Sequence, residues 1–326
     1  MTLAVDPAMA PILERLLAAP AVDYASISLA EGRTLAELGA TAWNEPRLPM
    51  AKVLELTIPG AAGPMRARLY RPVAGRLPLI LFAHGGGWTF GSIDTHDCEM
   101  RGLAAASGAA VLGFDYRRAT ENPFPAPTED VVAAIGFVED GGLGPEIDAT
   151  RMAVAGDSAG ANLALGALLS RRDQGARPLA AAALFYGCYA PDFDTPSHAR
   201  CGDGSFGLSS VRMRWYWQNF LGRETFAAES LAVPLRQELG GLPPLYLVGA
   251  GLDPLLDDTI ALSRRLAAAG VRHRLDVVPG VIHGFMRMGK ELPAARRAVA
   301  AGGGYLGVML KTTPMGGLEH GTQDIP

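Results

Sequence analysis

A serine set between glycines is the first group in the sequence that could do chemistry. Residues 156–160 read GDSAG and fit G-x-S-x-G with Ser158 at the centre. The motif follows the apolar run RMAVA and precedes the helical pattern ANLALGALLSRR. On a sharp turn between a strand and a helix, a serine hydroxyl is exposed at the top of a parallel sheet, where it can act as a nucleophile. A glycine-rich turn without chemistry is the alternative, because the bare pattern is weak.

Three consecutive glycines lie upstream in the segment HGGGW (84–88), directly after the apolar run LPLILFA. In such a loop the N–H groups of Gly86 and Gly87 can point into the space above the sheet, as an oxyanion hole requires. We expect His84 and Gly85 to support this loop, His84 as a hydrogen-bonding group rather than as a base. A phosphate cradle is disfavoured, since no G-K-[ST] follows and no G-x-G-x-x-G opens a helix.

A serine hydroxyl needs a base and an orienting carboxylate to attack at neutral pH. Among six histidines, His283 lies in the glycine-flanked loop PGVIHGF after the strand-like run HRLDVV. Asp253 lies in the first turn after PPLYLVGA, where its alternative role is to cap a helix before a proline. Asp257 and Asp258 compete for this role but are predicted on the helix itself. The order Ser158, Asp253, His283 is the chain order of an α/β-hydrolase triad. The histidines without such a placement are His96, His198, His273 and His320.

The elements that must position these residues alternate regularly from Leu77 onward. Short apolar runs alternate with helical patterns, which predicts parallel strands covered by helices on both faces of the sheet. Two helices over 7–19 and 28–43 and a hairpin of 52–58 with 65–70 are predicted before this core. The fold class is therefore α/β, with a mostly parallel, doubly wound sheet.

The alternation is interrupted over residues 190–232. The segment LSSVRMRWYWQNFLG in this interruption carries more aromatic surface than one small helix usually buries. A lid packed with the N-terminal helices over one end of the sheet is one interpretation, and an ordinary insertion with its own core is the other. Residues 314–326 are glycine-rich and aperiodic, so a disordered tail is predicted.

Composition excludes several classes of protein. Charged residues make up 19% of the chain and the net charge is −4 without a long basic run, which disfavours nucleic-acid binding. No apolar run reaches the roughly 20 residues that a membrane span needs. Cys98, Cys188 and Cys201 are scattered, which indicates neither a disulfide framework nor a zinc site. With no signal peptide evident, we expect a cytoplasmic protein. Glycine is in excess, at 40 of 326 residues against about 7% on average.

Several segments together resemble the bacterial hormone-sensitive-lipase-like esterases, the GDSAG-type family IV of the α/β-hydrolase superfamily. HGGGW, GDSAG, FDYRRATENPFPAPTED, GLDPLLDD and IHGF look like that family's blocks in the same order. In the third block, Arg118, Thr120 and Asn122 stand where Leu, Pro and His are more usual. We expect this departure to affect local packing or pocket shape rather than the reaction.

The resemblance implies a carboxylesterase with a helical cap of residues 1–48 and 190–232. The cap would cover an α/β-hydrolase catalytic domain of residues 49–189 and 233–313. Bulky aromatic residues in a cap favour small acyl groups, so short-chain esters are the expected substrates. No metal or organic cofactor is implied, and family members often form homodimers.

In the mechanism that the resemblance implies, His283 takes the proton of Ser158 as the serine attacks an ester carbonyl. Asp253 fixes the imidazole tautomer. The oxyanion donors are predicted to be the amides of Gly86, Gly87 and Ala159. The tentative substrate-pocket residues are Trp88, Asp157, Trp215 and Phe285.

Two other functions stay open. A binding protein of the same fold that has lost catalysis is disfavoured, because all three candidate triad members are present. Hydrolysis of amides, lactones or thioesters would use the same oxyanion chemistry. A dehalogenase or epoxide hydrolase would need a carboxylate in place of Ser158.

Overall fold

The core of the fold is one eight-stranded sheet with the strand order β1-β2-β4-β3-β5-β6-β7-β8. A computed structural model describes residues 4–19, 27–222 and 231–315. The β1/β2 and β2/β4 pairs are antiparallel and the other pairs are parallel, which confirms the predicted α/β class. The strands are β1 (Lys52–Gly60), β2 (Gly63–Arg71), β3 (Leu77–Ala83), β4 (Ala110–Phe114), β5 (Ile147–Asp157), β6 (Ala181–Phe185), β7 (Leu245–Leu252) and β8 (His273–Ile282).

Helices connect these strands and cover both faces of the sheet. The α-helices are α1 (Ala10–Ala18), α2 (Leu29–Thr41), α3 (Asp97–Ser107), α4 (Ala126–Glu139), α5 (Ala159–Asp173), α6 (Pro196–Cys201), α7 (Ser210–Leu221), α8 (Leu256–Ala268) and α9 (Pro293–Leu310). Short 3₁₀ helices span Pro234–Arg236 and Phe285–Lys290. In the described part of the chain, no helix combines the length and apolarity needed to cross a bilayer.

Burial on both faces explains the continuous apolar sequence of β3. Leu79 and Leu81 pack in one cluster with α4, α5 and α8, whereas Ile80 and Phe82 pack in a second cluster with α1, α3 and α9. Successive side chains of a strand point to opposite faces of the sheet, so a strand covered on both sides must be apolar throughout. All seven residues of β3 are buried.

The interruption over residues 190–232 contains α6 and α7. Helix α7 is capped at its N-terminus by Ser209, whose hydroxyl accepts a hydrogen bond from the Arg212 amide (3.1 Å), and is followed by Gly222 with φ +65°. A polar N-cap and a left-handed glycine at the C-terminus are common helix boundaries.

Residues 223–230 and 316–326 lie outside the described residues, so most of the predicted disordered tail, residues 314–326, lies outside them too. The Met315 amide donates to the Ala105 carbonyl (3.1 Å).

The start of α5 approaches the end of β3 at backbone-to-backbone distance. A Cβ added at Gly160 would lie 2.0 Å from the Ala83 carbonyl oxygen, and one at Gly156 would lie 2.5 Å from the Gly160 carbonyl oxygen. Neither backbone group can move away as a flexible side chain could. Glycine is therefore required at both positions for the turn between β5 and α5 to sit against β3.

We expect Gly160→Ala to lower the free energy of unfolding by about 1–3 kcal/mol or more, because the new methyl group must displace the backbone at Ala83. Urea denaturation measures this change. The matched control is Gly136→Ala in the middle of α4, where an added Cβ meets nothing within 4 Å. Alanine should stabilise that position by about 0.5–1 kcal/mol. An unchanged unfolding midpoint for Gly160→Ala would contradict the close approach.

Candidate active site

Ser158 occupies the turn between β5 and α5 in a strained backbone conformation. Its φ and ψ are 52° and −121°, and its amide donates to the Phe185 carbonyl at 2.8 Å. A non-glycine residue at positive φ costs on the order of 1–3 kcal/mol and persists where its surroundings enforce it. Here the hydrogen bond to β6 and the glycine contacts on either side enforce it. The side chain is carried to the carboxyl edge of the sheet.

His283 follows β8 and joins Ser158 to a buried carboxylate. Its Nε2 lies 2.9 Å from Ser158 Oγ, and its Nδ1 lies 2.7 Å from Asp253 Oδ2. Asp253 follows β7 and is 0% exposed, and its second oxygen accepts from the Leu255 amide at 2.9 Å. The carboxylate thus contacts both the imidazole and the following helical turn. Both contacts of the imidazole are within the reach that proton transfer requires.

Asp257 and Asp258, the two alternatives to Asp253, bind backbone amides at or near the 190–232 segment instead of His283. Asp257 Oδ2 accepts from the Ser197 amide (2.7 Å), and Asp258 Oδ2 accepts from the amides of Tyr189 (2.6 Å) and Ala190 (3.1 Å). Burial raises the pKa of Asp258 to about 7, although the two amide hydrogen bonds lower it. Both carboxylates therefore serve to attach the segment after β6 to α8.

Two amides of the glycine loop, residues 84–88, and the first amide of α5 are the predicted oxyanion donors. Gly86 and Gly87 have φ values of +118° and +60°, which favour glycine. Within residues 4–19, 27–222 and 231–315, the amides of Gly86, Gly87 and Ala159 donate no hydrogen bond. Free amides beside Ser158 are the groups that an oxyanion hole uses.

The first glycine of the loop is held by a carboxylate from the next strand. The Gly85 amide donates to Asp157 Oδ1 at 2.7 Å, and Asp157 is 1% exposed. His96 Nε2 lies 3.3 Å from the same oxygen. Burial disfavours the charged imidazole, but the charges of Asp157 and Glu99 and the close contact with Asp157 together more than offset this and raise the pKa of His96. Burial likewise opposes ionisation of Asp157, and His96 in turn lowers its pKa.

His84 contacts both the glycine loop and Tyr116. Its Nδ1 lies 2.8 Å from the Gly85 carbonyl oxygen, and its ring stacks on Tyr116 with centroids 4.3 Å apart. The Tyr116 hydroxyl donates to the His84 carbonyl (2.8 Å). Burial lowers the pKa of His84 to about 3, so this imidazole is neutral at physiological pH. These contacts are the ones that the predicted loop-supporting role requires.

The sequence model of a family described as alpha/beta hydrolase fold matches residues 80–287. The chain belongs to this family. Esterase LipI of Mycobacterium tuberculosis is 36% identical over 267 residues, which cover 79% of this chain and 82% of that protein. Carboxylesterase NlhH of the same organism is 33% identical over 312 residues, covering 91% and 94%. The resemblance to hormone-sensitive-lipase-like esterases is confirmed.

Solved structures of similar α/β hydrolases extend over nearly the whole chain. An esterase from the archaeon Pyrobaculum calidifontis superposes with a TM-score of 0.90 at 33% identity, covering 94% of this chain and 99% of that one. An α/β hydrolase enzyme from the metagenome of Lake Arreo, Spain, gives a TM-score of 0.89 at 31% identity with the same coverage. The prediction that this chain is an enzyme is confirmed.

Three of the tentative pocket residues of this α/β hydrolase are wrong. Trp88 is 0% exposed and stacks on Phe220 with centroids 4.1 Å apart, so it is part of the core. Phe285 is also 0% exposed and packs near Tyr186, 5.6 Å between centroids. Asp157 holds Gly85, as described above. Trp215, the fourth, is partly exposed and stays a prediction.

Tyr216, which no motif in the sequence indicates, lies directly on the glycine loop. A Cβ at Gly87 would be 2.3 Å from Tyr216 Cδ1. On the same helix, Asn219 Nδ2 donates to Thr89 Oγ1 at 3.3 Å. The position of Tyr216 one residue after Trp215 was visible in the sequence, but the orientation of α7 was not.

The altered block after β4 also contacts the loop region. Arg118 donates to the Gly91 carbonyl, and Glu121 forms an ion pair with Arg33 of α2 (2.6 Å). Arg33 also donates to the Thr89 carbonyl (3.2 Å). Arg33 donates to Thr120 Oγ1 as well (2.9 Å). Two of the three departures from the family pattern, Arg118 and Thr120, thus lie near the contact of α2 with the segment that follows the glycine loop. In the described part of the chain, no group of three His, Cys, Asp or Glu side chains is arranged to hold a metal ion.

We expect NMR titration to give His96 a pKa above its ordinary value of about 6.5. Asp157→Asn should lower that pKa by at least about one unit, because the burial of His96 remains while the charge of Asp157 is lost. The ion pair stabilises the fold above the ordinary pKa of the carboxyl, and this stabilisation is lost as pH rises through the raised pKa of His96.

The stability difference between the wild type and Asp157→Asn should therefore shrink as the pH rises through that value. Assignment by His96→Gln identifies the resonance, and Asp276→Asn at the far edge of the sheet is the control. A wild-type His96 that titrates at or below its ordinary value would contradict the ion pair.

Proposed function

We propose that this α/β hydrolase is a carboxylesterase that hydrolyses short-chain esters through Ser158, His283 and Asp253. The chain of contacts from Asp253 through His283 to Ser158, at 2.7 and 2.9 Å, carries the proposal. Its relatives are named esterases and a carboxylesterase, which supports the same reaction. The ligand is a small-molecule ester, and the proposed reaction needs no metal or organic cofactor.

In the proposed mechanism, Ser158 Oγ attacks the ester carbonyl while His283 Nε2 takes its proton. Asp253 accepts a hydrogen bond from Nδ1–H, so that Nε2 is the free acceptor and the imidazolium is stabilised once formed. His283 then gives the proton to the leaving alcohol, and Ser158 keeps the acyl group. Water attacks this acyl-enzyme with His283 as the base and releases the acid.

The amides of Gly86, Gly87 and Ala159 stabilise the negative oxygen in both steps. Each such donor typically contributes about 2.7–4 kcal/mol to lowering the barrier. Because Gly85 is held by Asp157, the next two amides are fixed relative to Ser158. No reorganisation of the loop is then needed as charge develops.

The substrate class follows from the helices near the loop. We propose that residues 1–48 and 190–232 form a cap over the domain of residues 49–189 and 233–313. Tyr216 of α7 lies against Gly87 of the glycine loop, and Trp215 stacks on Phe90 with centroids 5.9 Å apart. In this proposal their bulk limits the length of the acyl group. Homodimer formation and a cytoplasmic location stay predictions.

We expect Ser158→Ala and Asp253→Asn each to lower kcat for p-nitrophenyl acetate by about 10⁴-fold or more, since the first removes the nucleophile and the second the correct imidazole tautomer. Asp257→Asn, one helical turn away, is the matched control and should keep near-normal rates. Near-normal rates for Asp253→Asn together with a large loss for Asp257→Asn would reassign the acid.

An organophosphate label mapped by mass spectrometry tests the nucleophile separately. The label should lie on Ser158 alone. Labelling of another residue would overturn the mechanism whatever the rates of the variants.

We expect kcat/KM for p-nitrophenyl esters to fall as the acyl chain lengthens from butyrate to laurate, and Tyr216→Ala to raise the laurate-to-butyrate ratio by removing bulk beside Gly87. Val211→Ala, on the same helix with Val211 77% exposed, is the control and should leave the ratio unchanged. Rates that rise steadily out to laurate in the wild type would refute the short-chain assignment.

A further inference from the structure

A cavity whose lining does not include Ser158 lies between α3, the loop after α2, the 3₁₀ helix Phe285–Lys290 and α9. Its volume is about 570 Å³, and its lining includes neither Ser158 nor Asp253 nor His283. Cavities of roughly 300–1,000 Å³ are typical of small-molecule sites. The walls are mainly apolar and include Trp43, Leu48, Met286, Ala295, Val299 and Ala300.

The charged groups of this cavity are predominantly cationic. Arg287, Lys290 and Arg296 contribute to the lining, against the single carboxylate of Glu45. Glu45 already forms an ion pair with Arg47 at 3.0 Å. The lining therefore combines apolar walls with three cationic side chains and one carboxylate.

Arg287 is the partly buried cation among them. Within the described residues it forms no ion pair, and its guanidinium makes one hydrogen bond, from Nε to the Gly284 carbonyl (3.2 Å). Burial disfavours its charged form, but Glu99, Tyr186 and Asp157 more than offset this and raise the pKa of Arg287. Its two terminal nitrogens are thus charged donors without a hydrogen-bonding partner in the described chain.

We propose that this cavity binds a medium-chain carboxylate, with the carboxylate on Arg287 and the alkyl chain against the walls formed by α3 and α9. A guanidinium matches a carboxylate with two parallel hydrogen bonds, which satisfies the terminal nitrogens of Arg287. Lys290 and Arg296 add positive charge at the exposed rim. Burial of the alkyl chain against apolar side chains adds the hydrophobic contribution. The proposal goes beyond ester hydrolysis and does not depend on it.

Isothermal titration of octanoate into the Ser158→Ala variant tests this binding without turnover, so a failure of the proposed esterase activity leaves the result interpretable. We expect one saturable site for octanoate and at least tenfold weaker binding of octanol and octylammonium. Arg287→Gln should weaken octanoate binding at least tenfold, and Arg287→Lys, which keeps the charge but not the two parallel hydrogen bonds, should restore only part of it. The matched control is Arg297→Gln, an exposed α9 position outside the lining, which should leave binding unchanged.

A second variant tests the apolar wall without touching the charge. Ala300→Phe fills the cavity from a partly exposed position of α9 and should also weaken binding at least tenfold with no change in thermal midpoint. Octanoate binding that survives both Arg287→Gln and Ala300→Phe, or that octanol equals, overturns the proposal. The absence of a saturable octanoate site in the full chain also overturns the proposal. This holds even if a chain ending at Met315 gains such a site, because the cavity would then be occupied by the chain's own last residues.

Discussion

The site depends on one steric constraint, the contact of the first turn of α5 with the end of β3. Gly160 meets the Ala83 carbonyl at a distance that no side chain permits. This contact places the turn that carries Ser158 beside the glycine loop that leaves β3. Because the two segments are more than 70 residues apart in sequence, only a parallel pairing of β3 with β5 brings their carboxyl ends together. Ser158 and the glycine loop therefore lie at one edge of the sheet.

A buried ion pair, Asp157 with His96, holds the first part of the glycine loop in place. Asp157 and His96 are almost fully buried, and burying two charges costs several kcal/mol per ion before their attraction is counted. Such a pair is weak evidence of stabilisation. Its geometry is informative, however, since the same carboxylate oxygen holds the Gly85 amide. The pair therefore orients Gly85 and, through it, the next two amides of the loop.

The sequence allowed prediction of those features that follow from local signals and sheet topology. Ser158, Asp253 and His283 each follow a recognisable strand, and parallel strands end at a common edge, so their proximity could be argued without coordinates. The pocket residues could not be assigned in this way. Trp88 and Phe285 also follow strands, but whether such a side chain faces substrate or core depends on what packs against it, which composition does not reveal. Asp157 was misassigned for the same reason, because its partners Gly85 and His96 come from other segments.

The rotation of α7 about its own axis determines which of its aromatic side chains lies against Gly87. Met213, Trp217 and Phe220 are buried and recur at three- and four-residue spacing, as expected for one face of a helix. Trp217 and Phe220 pack against Trp88, which leaves Trp215 and Tyr216 at the flank of that face. A rotation of α7 by one residue would exchange Tyr216 with Trp217 at Gly87. The aromatic cluster therefore has two separate roles. One part anchors the helix to the core and the other lies at the glycine loop, so that the anchor determines which side chain lies against Gly87.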